Sequence, residues 1–340
     1  MDADERLSVA SSLTGEQLAR AVAAVQQTAE AVRANVGRVI VGKASVIDLL
    51  LTAMLSEGHA LIEDVPGLGK TVMAKAMARS LGVSFARIQG TADLLPSDVT
   101  GVSYFNQKAG EFEFRPGPIF AQVVLADEIN RATPRTQSAL LEAMQERQVT
   151  VDAQTMRLKS PFLLIATQNP IELEGTFPLP EAQLDRFLMR LRISYPSIEE
   201  ERAMLFRFKT EQPLEALAPV VSGEQLLHLM AVVRAVGVAP PVADYLLKIV
   251  RGTRGHSAID LGASPRAALA LFRAAQARAA MAGRDYVKPD DVKALAIPVL
   301  AHRLLVSAQS RLRGQDADQI IEDVVRQTLV PVEDVRVEGR

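Results

Sequence analysis

Short apolar runs alternate with stretches of helical period up to about residue 195 of this chain. Beyond that point only helical stretches remain. Leu61-Ile62, Val123-Val124-Leu125-Ala126 and Phe162-Leu163-Leu164-Ile165-Ala166 read as buried strands, and Val83 to Gln89 alternates apolar and polar residues as a further strand. Helical period fills the spaces between them, from Thr71 to Leu81 with Gly82 as the stop, and from Pro134 to Glu146. Wholly apolar strands separated by helices predict a parallel sheet covered on both faces, an α/β fold. Two helices precede the first strand, Gln17 to Val36 and Lys43 to Ser56, with Val39-Ile40-Val41-Gly42 as the break between them.

Two segments read as hairpin inserts. Val102 to Phe105 and Glu111 to Phe114 flank the turn Asn106 to Gly110, and Gln148 to Val151 and Met156 to Leu158 flank Asp152 to Thr155. After Tyr195-Pro196 the pattern predicts helices over 198–209, 223–236, 242–251, 265–281 and 290–305, with Ser197 as the first N-cap. The expected organisation is a polar flexible tail over 1–20, an α/β nucleotide-binding core over 21–195 and an all-α domain over 196–340.

Chemistry enters at the first strand's exit. Leu61-Ile62-Glu63-Asp64-Val65-Pro66-Gly67-Leu68-Gly69-Lys70-Thr71 is a strand, a glycine-containing loop and a Gly-Lys-Thr opening a helix, the pattern of a phosphate-cradling P-loop. The loop Pro66-Gly67-Leu68-Gly69, with the backbone N–H groups of Gly67, Leu68 and Gly69, and the helix start at Lys70, Thr71 and Val72 would face the phosphates. Lys70 would reach the β- and γ-phosphates, and Thr71 would ligate Mg²⁺. Asp64 stands where the usual pattern has glycine, and an acidic side chain there is expected to point away from the ligand.

Asp127 and Glu128 end the Val123 strand, on the side where parallel sheets bind ligands. Adjacent residues of an extended chain face opposite ways, so Asp127 would orient Mg²⁺ and Glu128 would polarise the attacking water. Asn169, in Ala166-Thr167-Gln168-Asn169-Pro170, occupies the same place on another strand and would position that water or sense the γ-phosphate; the bland alternative is a turn that merely ends the strand. Arg186, in Leu184-Asp185-Arg186-Phe187-Leu188, is the candidate arginine finger for a neighbour's phosphates, against a surface salt bridge with Asp185 or Glu181; Arg131 and Arg135 rank behind it. Arg266 follows Ser264-Pro265, a well-defined helix start, and a cation is unfavourable in a first turn, which suggests that it serves a γ-phosphate between the two domains. Val41 and Gly42 are candidates for lining an adenine site. The four histidines have no metal-ligand spacing and read as structural.

Bulk properties narrow the class. A chain of 340 residues with 48% hydrophobic and 23% charged residues supports a substantial core, and a formal charge of −2 argues against a protein that coats nucleic acid. The absence of cysteine excludes disulfides and thiol chemistry. The acidic Met1 to Glu5 start and the lack of a long apolar run predict a cytoplasmic protein with no membrane span.

Together these residues resemble the AAA+ ATPases, and within them the MoxR family. The resemblance rests on Glu63 to Thr71, Leu125 to Arg131, Ala166 to Pro170, Leu179 to Phe187 and Gly262 to Arg266, with Gly283 to Val287, Pro289 to Val292 and His302 to Leu304 in the helical part. It implies an AAA+ core with a central parallel sheet and β-hairpin inserts, followed by a small all-α lid. It also implies Walker A at Lys70 and Thr71, Walker B at Asp127 and Glu128, sensor 1 at Asn169, a finger at Arg186 and sensor 2 at Arg266. The family's cofactors are ATP and Mg²⁺. Its members are regarded as chaperone-like ATPases forming hexameric rings, often with a partner carrying a von Willebrand factor A domain, that help mature or insert metal cofactors into client complexes. Tyr104, Phe105, Phe112 and Phe114 would either face a pore or client or pack the hairpin on its own domain. The competing classes are a DNA-remodelling motor, disfavoured by the charge balance, and a nucleotide-switched scaffold without turnover.

Overall fold

The computed structural model describes residue 5 and residues 13–152, 154–169, 175–207 and 213–331. Most of the expected tail lies outside these residues, as do Pro170 and the end of the helix expected to reach Lys209. Residues 15–20, assigned above to the tail, instead open the first helix, α1 (Gly15–Gly37), whose valines at 22, 25, 32 and 36 form a fully buried stripe.

After α2 (Ala44–Leu55) the core alternates as the apolar pattern requires: β1 (Ala60–Glu63), α3 (Lys70–Ser80), β2 (Phe85–Gln89), a short α4 (Pro96–Thr100), the hairpin β3–β4 (Gly101–Asn106, Glu111–Pro116) and β5 (Val123–Asp127). Next come α5 (Pro134–Glu146), the hairpin β6–β7 (Gln148–Val151, Gln154–Arg157), β8 (Leu163–Gln168), α6 (Glu181–Leu184) and β9 (Met189–Leu191). Five strands form one parallel sheet in the order β2-β5-β8-β1-β9. Strand β9 is absent from the apolar pattern because it is three residues long and carries Arg190 in its middle.

Strand alternation sends Leu61, Val124, Ala126, Leu164 and Ala166 to a core shared with Leu140, Leu141 and Met144 of α5. The other face, with Ile62, Val123, Leu125, Leu163 and Ile165, joins a larger core containing α1, α2 and α3. That core runs on into α8 (Gly223–Ala235), α9 (Pro240–Arg254), α10 (Pro265–Met281), α11 (Pro289–Leu300) and α13 (Ala317–Gln327) of the helical region, to which α7 (Ile198–Arg207) and α12 (Ala308–Leu312) also belong without joining the core. Helix α1 packs on α3 in the core and on α8 and α10 in the lid, so it bridges the two. The lid also holds an antiparallel ribbon, β10 (Ile259–Leu261) with β11 (Leu305–Val306), and this pairing ends the last predicted helix at Leu300 rather than 305.

Local signals hold at several helix starts. Ser222 and Gln225 close a capping box on α8, Ser264 accepts from Ala267 N at 3.3 Å, and Ser197 accepts from Glu200 N at 3.2 Å. Among the described residues no helix is long and apolar enough to cross a membrane.

His59 and His302 take structural places. His59 Nδ1 accepts from Leu164 N at 3.0 Å, which leaves Nε2–H to donate to Met144 O at 3.1 Å. Burial first, then the Arg147 charge, lower its pKa from 6.5 to about 3. The folded state therefore refuses a proton that the unfolded chain accepts, so stability present above the unfolded value is lost as pH falls toward the folded one. Unfolding monitored between pH 6.5 and 3 should show His59 contributing a loss of about 1.4 kcal/mol per pH unit. His59→Asn should flatten that slope; an unchanged slope would remove His59 as its source.

Candidate functional site

The parallel register brings the C-terminal ends of β1, β5 and β8 to one level. A cavity of about 310 Å³ opens there, bounded by Pro66, Gly67, Gly69, Lys70, Thr71 and Val72 of the loop and by Arg87, Asp127, Glu128, Thr167 and Asn169 of the sheet edge. Gly67 and Gly69 have φ of 87° and 77°, a left-handed backbone that favours glycine and turns the loop into the start of α3. Pro66, Gly67 and Gly69 are exposed, so the loop stands open to a ligand. Leu68 instead packs toward the larger core.

Lys70 Nζ donates to the carbonyls of Asp64 at 2.9 Å and Val65 at 3.1 Å. Partial burial holds its pKa below the ordinary lysine value, while the charges of Asp64, Asp127 and Glu128 oppose that shift. The Asp64 side chain does turn from the cavity. Its Oδ2 accepts from Ile193 N at 2.6 Å and Ser194 N at 2.8 Å, and Oδ1 accepts from Val65 N at 2.9 Å. The residue that departs from the P-loop pattern thus ties the loop to the segment leaving β9.

Asp127 is the most constrained group. Thr167 Oγ1 donates to its Oδ1 at 2.6 Å, Arg87 pairs with Oδ2 at 2.6 Å and 3.1 Å, and Thr71 Oγ1 lies 3.5 Å from the same oxygen. Thr71 and Asp127 form a hard-oxygen pair facing the cavity, a donor set that suits Mg²⁺. Glu128 diverges from Asp127 for a reason other than strand alternation: it adopts a left-handed backbone, φ 53° and ψ 48°. Gly90 lies so close to the Glu128 carbonyl that any Cβ there would collide with it. Glu128 Oε2 accepts from Gln89 at 2.9 Å and pairs with Arg131 at 3.3 Å, so Arg131 is engaged within this chain.

Arg87, Gln89 and Thr167, which touch Asp127 and Glu128, are neighbours of the site that the motif reading missed. For Arg87 and Gln89 the signal was present in the alternation of β2, which sets them on one face, but recognising it required knowing that β2 lies beside β5.

The two remaining arginines lie elsewhere. Arg186 and Arg266 line a separate cleft of about 1290 Å³ that shares no lining residue with the P-loop cavity. The expectation that Arg266 closes on this chain's own γ-phosphate between the domains is therefore not met by this geometry. Arg266 instead approaches Asp185 at 4.0 Å, and Asp185 pairs with Arg303 at 2.8 Å. Val41 and Gly42 do not border the P-loop cavity either; Gly42, with φ 68°, packs against the Glu200 side chain of α7, and Lys43 pairs with that carboxylate at 3.4 Å. Of the hairpin aromatics, Phe114 packs edge-on against Phe120, whereas Phe105 and Phe112 form an exposed edge-on pair.

A parallel sheet with a P-loop after β1, paired carboxylates after β5 and a helical lid defines a AAA+ ATPase fold and site. Residues 59–189 match the ATPase family associated with various cellular activities (AAA), and residues 251–324 match the AAA lid domain. The chain is 51% identical to the protein YeaC of Bacillus subtilis, over 88% of this chain and 93% of that one. It is 41% identical to the chaperone MoxR1 of Mycobacterium tuberculosis, over 92% and 84%. The crystal structure of an inferred ATPase from Cytophaga hutchinsonii superposes with a TM-score of 0.87 at 39% identity, covering 92% of this chain and 97% of that one. The chain belongs to the MoxR family of AAA+ ATPases.

The Asp64 contacts yield a prediction opposite to the motif. Asp64→Gly, which restores the usual P-loop glycine, should weaken ATP binding rather than improve it. It should also cost about 1–3 kcal/mol of stability by stranding the N–H of the buried Ile193. Calorimetric titration with nucleotide and chemical denaturation check both; tighter binding would show that Asp64 is not needed for loop placement.

Proposed function

We propose that this chain is a Mg²⁺-dependent ATP hydrolase that works in a ring and remodels protein complexes as a chaperone-like factor. The observation that carries this is the division of the site. Lys70, Thr71, Asp127, Glu128 and Asn169 share one cavity, while Arg186 and Arg266 share another. A site so divided is completed when the arginine cleft of one copy covers the P-loop cavity of the next.

In that arrangement the exposed loop backbone and Lys70 hold the β- and γ-phosphates, and Lys70 exchanges its two carbonyl partners for phosphate oxygens. Thr71 and Asp127 would hold Mg²⁺, which would supply positive charge to offset that of the phosphates. Thr167 and Arg87 fix the Asp127 carboxylate; Glu128, turned aside by its left-handed backbone, accepts the proton of the attacking water, and Asn169 orients that water. Arg186 and Arg266 of the neighbour stabilise charge developing on the γ-phosphate, so hydrolysis at one site depends on the next subunit.

The relatives named MoxR and chaperone MoxR1 support the chaperone-like role, and cytoplasmic action with a von Willebrand factor A partner and a protein client, including insertion of a metal cofactor, extends it. The exposed Phe105–Phe112 pair on the first hairpin is the client-facing feature we favour. The net charge of −2 counts against the DNA-motor alternative.

Glu128→Gln should bind ATP with near-normal affinity and hydrolyse it at a small fraction of the wild-type rate; full activity would remove Glu128 as the base. Arg186→Ala should keep nucleotide binding and lose turnover by about 10³- to 10⁵-fold, as fingers do. Normal turnover in that variant would end the intersubunit assignment.

A further inference from the structure

The segment bearing Arg186 is held by the lid, through one buried cation. Arg303 lies in the 3₁₀ turn Ala301–Arg303 that follows α11, and its side chain is only 3% exposed. Its Nε donates to Asp185 Oδ1 at 2.8 Å. Nη2 donates to Phe187 O at 2.6 Å and Asp185 O at 3.3 Å, and Nη1 to Leu188 O at 3.2 Å and to Val299 O of α11. His302 adds a second donor to Phe187 O at 3.1 Å. The backbone carbonyls on either side of Arg186 are thus both bound by the lid.

Asp185 joins the same group from its other side. Ser264 Oγ lies 3.5 Å from both of its carboxylate oxygens, and Arg266 approaches at 4.0 Å. The start of α10, the Arg186 segment and the turn after α11 therefore meet on one carboxylate. A guanidinium's planar set of five donors is well suited to fixing several oxygens at once. Burying it is costly unless those oxygens are supplied, and apolar packing would serve stability alone as well or better. Almost all of the donors go to residues 185–188, the segment that presents the finger, and not to the lid's own core.

We propose that Arg303, acting through Asp185 and the carbonyls of residues 185–188, is the positioning residue that sets Arg186 and Arg266 together for a neighbouring subunit's active site. This rests on the intersubunit reading given above, and the test separates the two. The lid of one copy would then govern hydrolysis in the next while leaving its own P-loop untouched.

The experiment uses full-length chains and ATP turnover, with a non-hydrolysable ATP analogue as the binding probe. Arg303→Met should lower turnover by about tenfold or more while affinity for the analogue stays within about twofold. Mixing it with Lys70→Ala chains, which are inactive but keep Arg303 and Arg186, should restore hydrolysis at the variant's own P-loops. Arg186→Ala mixed with Lys70→Ala is the control.

If the control regains activity and the Arg303→Met mixture does not, or if Arg303→Met alone turns over at the wild-type rate, the positioning role is overturned. If the control itself gains nothing, the intersubunit reading fails and this inference falls with it. Should Arg303→Met lose analogue binding through misfolding, Asp185→Asn carries the same test, because it removes the charge that Arg303 and Arg266 share and nearly preserves shape. It should lower turnover, keep binding and regain activity on mixing; wild-type turnover in Asp185→Asn would overturn the proposal.

Discussion

The register of the parallel strands is the constraint on which the site depends. Because β1, β5 and β8 run side by side in one direction, the residues that end them emerge on one edge of the sheet. Asp127 then lies within 2.6 Å of Thr167 on the next strand, and Glu128 N donates to that same threonine at 2.8 Å. A slip of one residue in β8 would turn Thr167 to the opposite face and leave the Asp127 carboxylate without its buried donor. The hydrophobic alternation that places Val124 and Leu125 in different cores therefore also aims the Asp127 carboxylate at the Thr167 hydroxyl.

A second level of organisation ties that edge to the lid. Gln168, just before Asn169, donates to Glu63 at 2.6 Å; Glu63 pairs with Arg190 at 3.1 Å, and Arg190 pairs with Asp318 of α13 at 2.7 Å. Glu57, at the end of α2, joins Arg147 at 2.7 Å to Arg234 of α8 at 2.6 Å. With Asp64 bound to the backbone at 193 and 194, the P-loop, the strand before Asn169 and the lid are connected by charged hydrogen bonds as well as by the shared apolar core.

The separation of the two arginines from the P-loop cavity follows from this geometry. Arg186 is set by α6 and by Arg303, Arg266 by the capped start of α10, and both elements meet at Asp185 on a cleft of their own. The helical lid thus contributes its cationic helix start to the side of the molecule where Arg186 lies, away from the loop that holds Lys70.

By itself the sequence determined the local features: the apolar strands, the P-loop turn, the carboxylates at a strand end, and caps such as Ser264. Each is legible because periodicity and turn chemistry depend on residues a few positions apart. Strand β9 and the lid ribbon escaped because segments of two or three residues carry no period. Only the tertiary structure decided that β2 lies beside β5, so that Arg87 and Gln89 reach Asp127 and Glu128. It alone showed that Asp64 serves the chain beyond β9, that Glu128 turns through a left-handed backbone, and that Arg266 shares a cleft with Arg186. These contacts join residues far apart in the chain, and their partners are set by the order in which strands and helices pack, which no local pattern encodes.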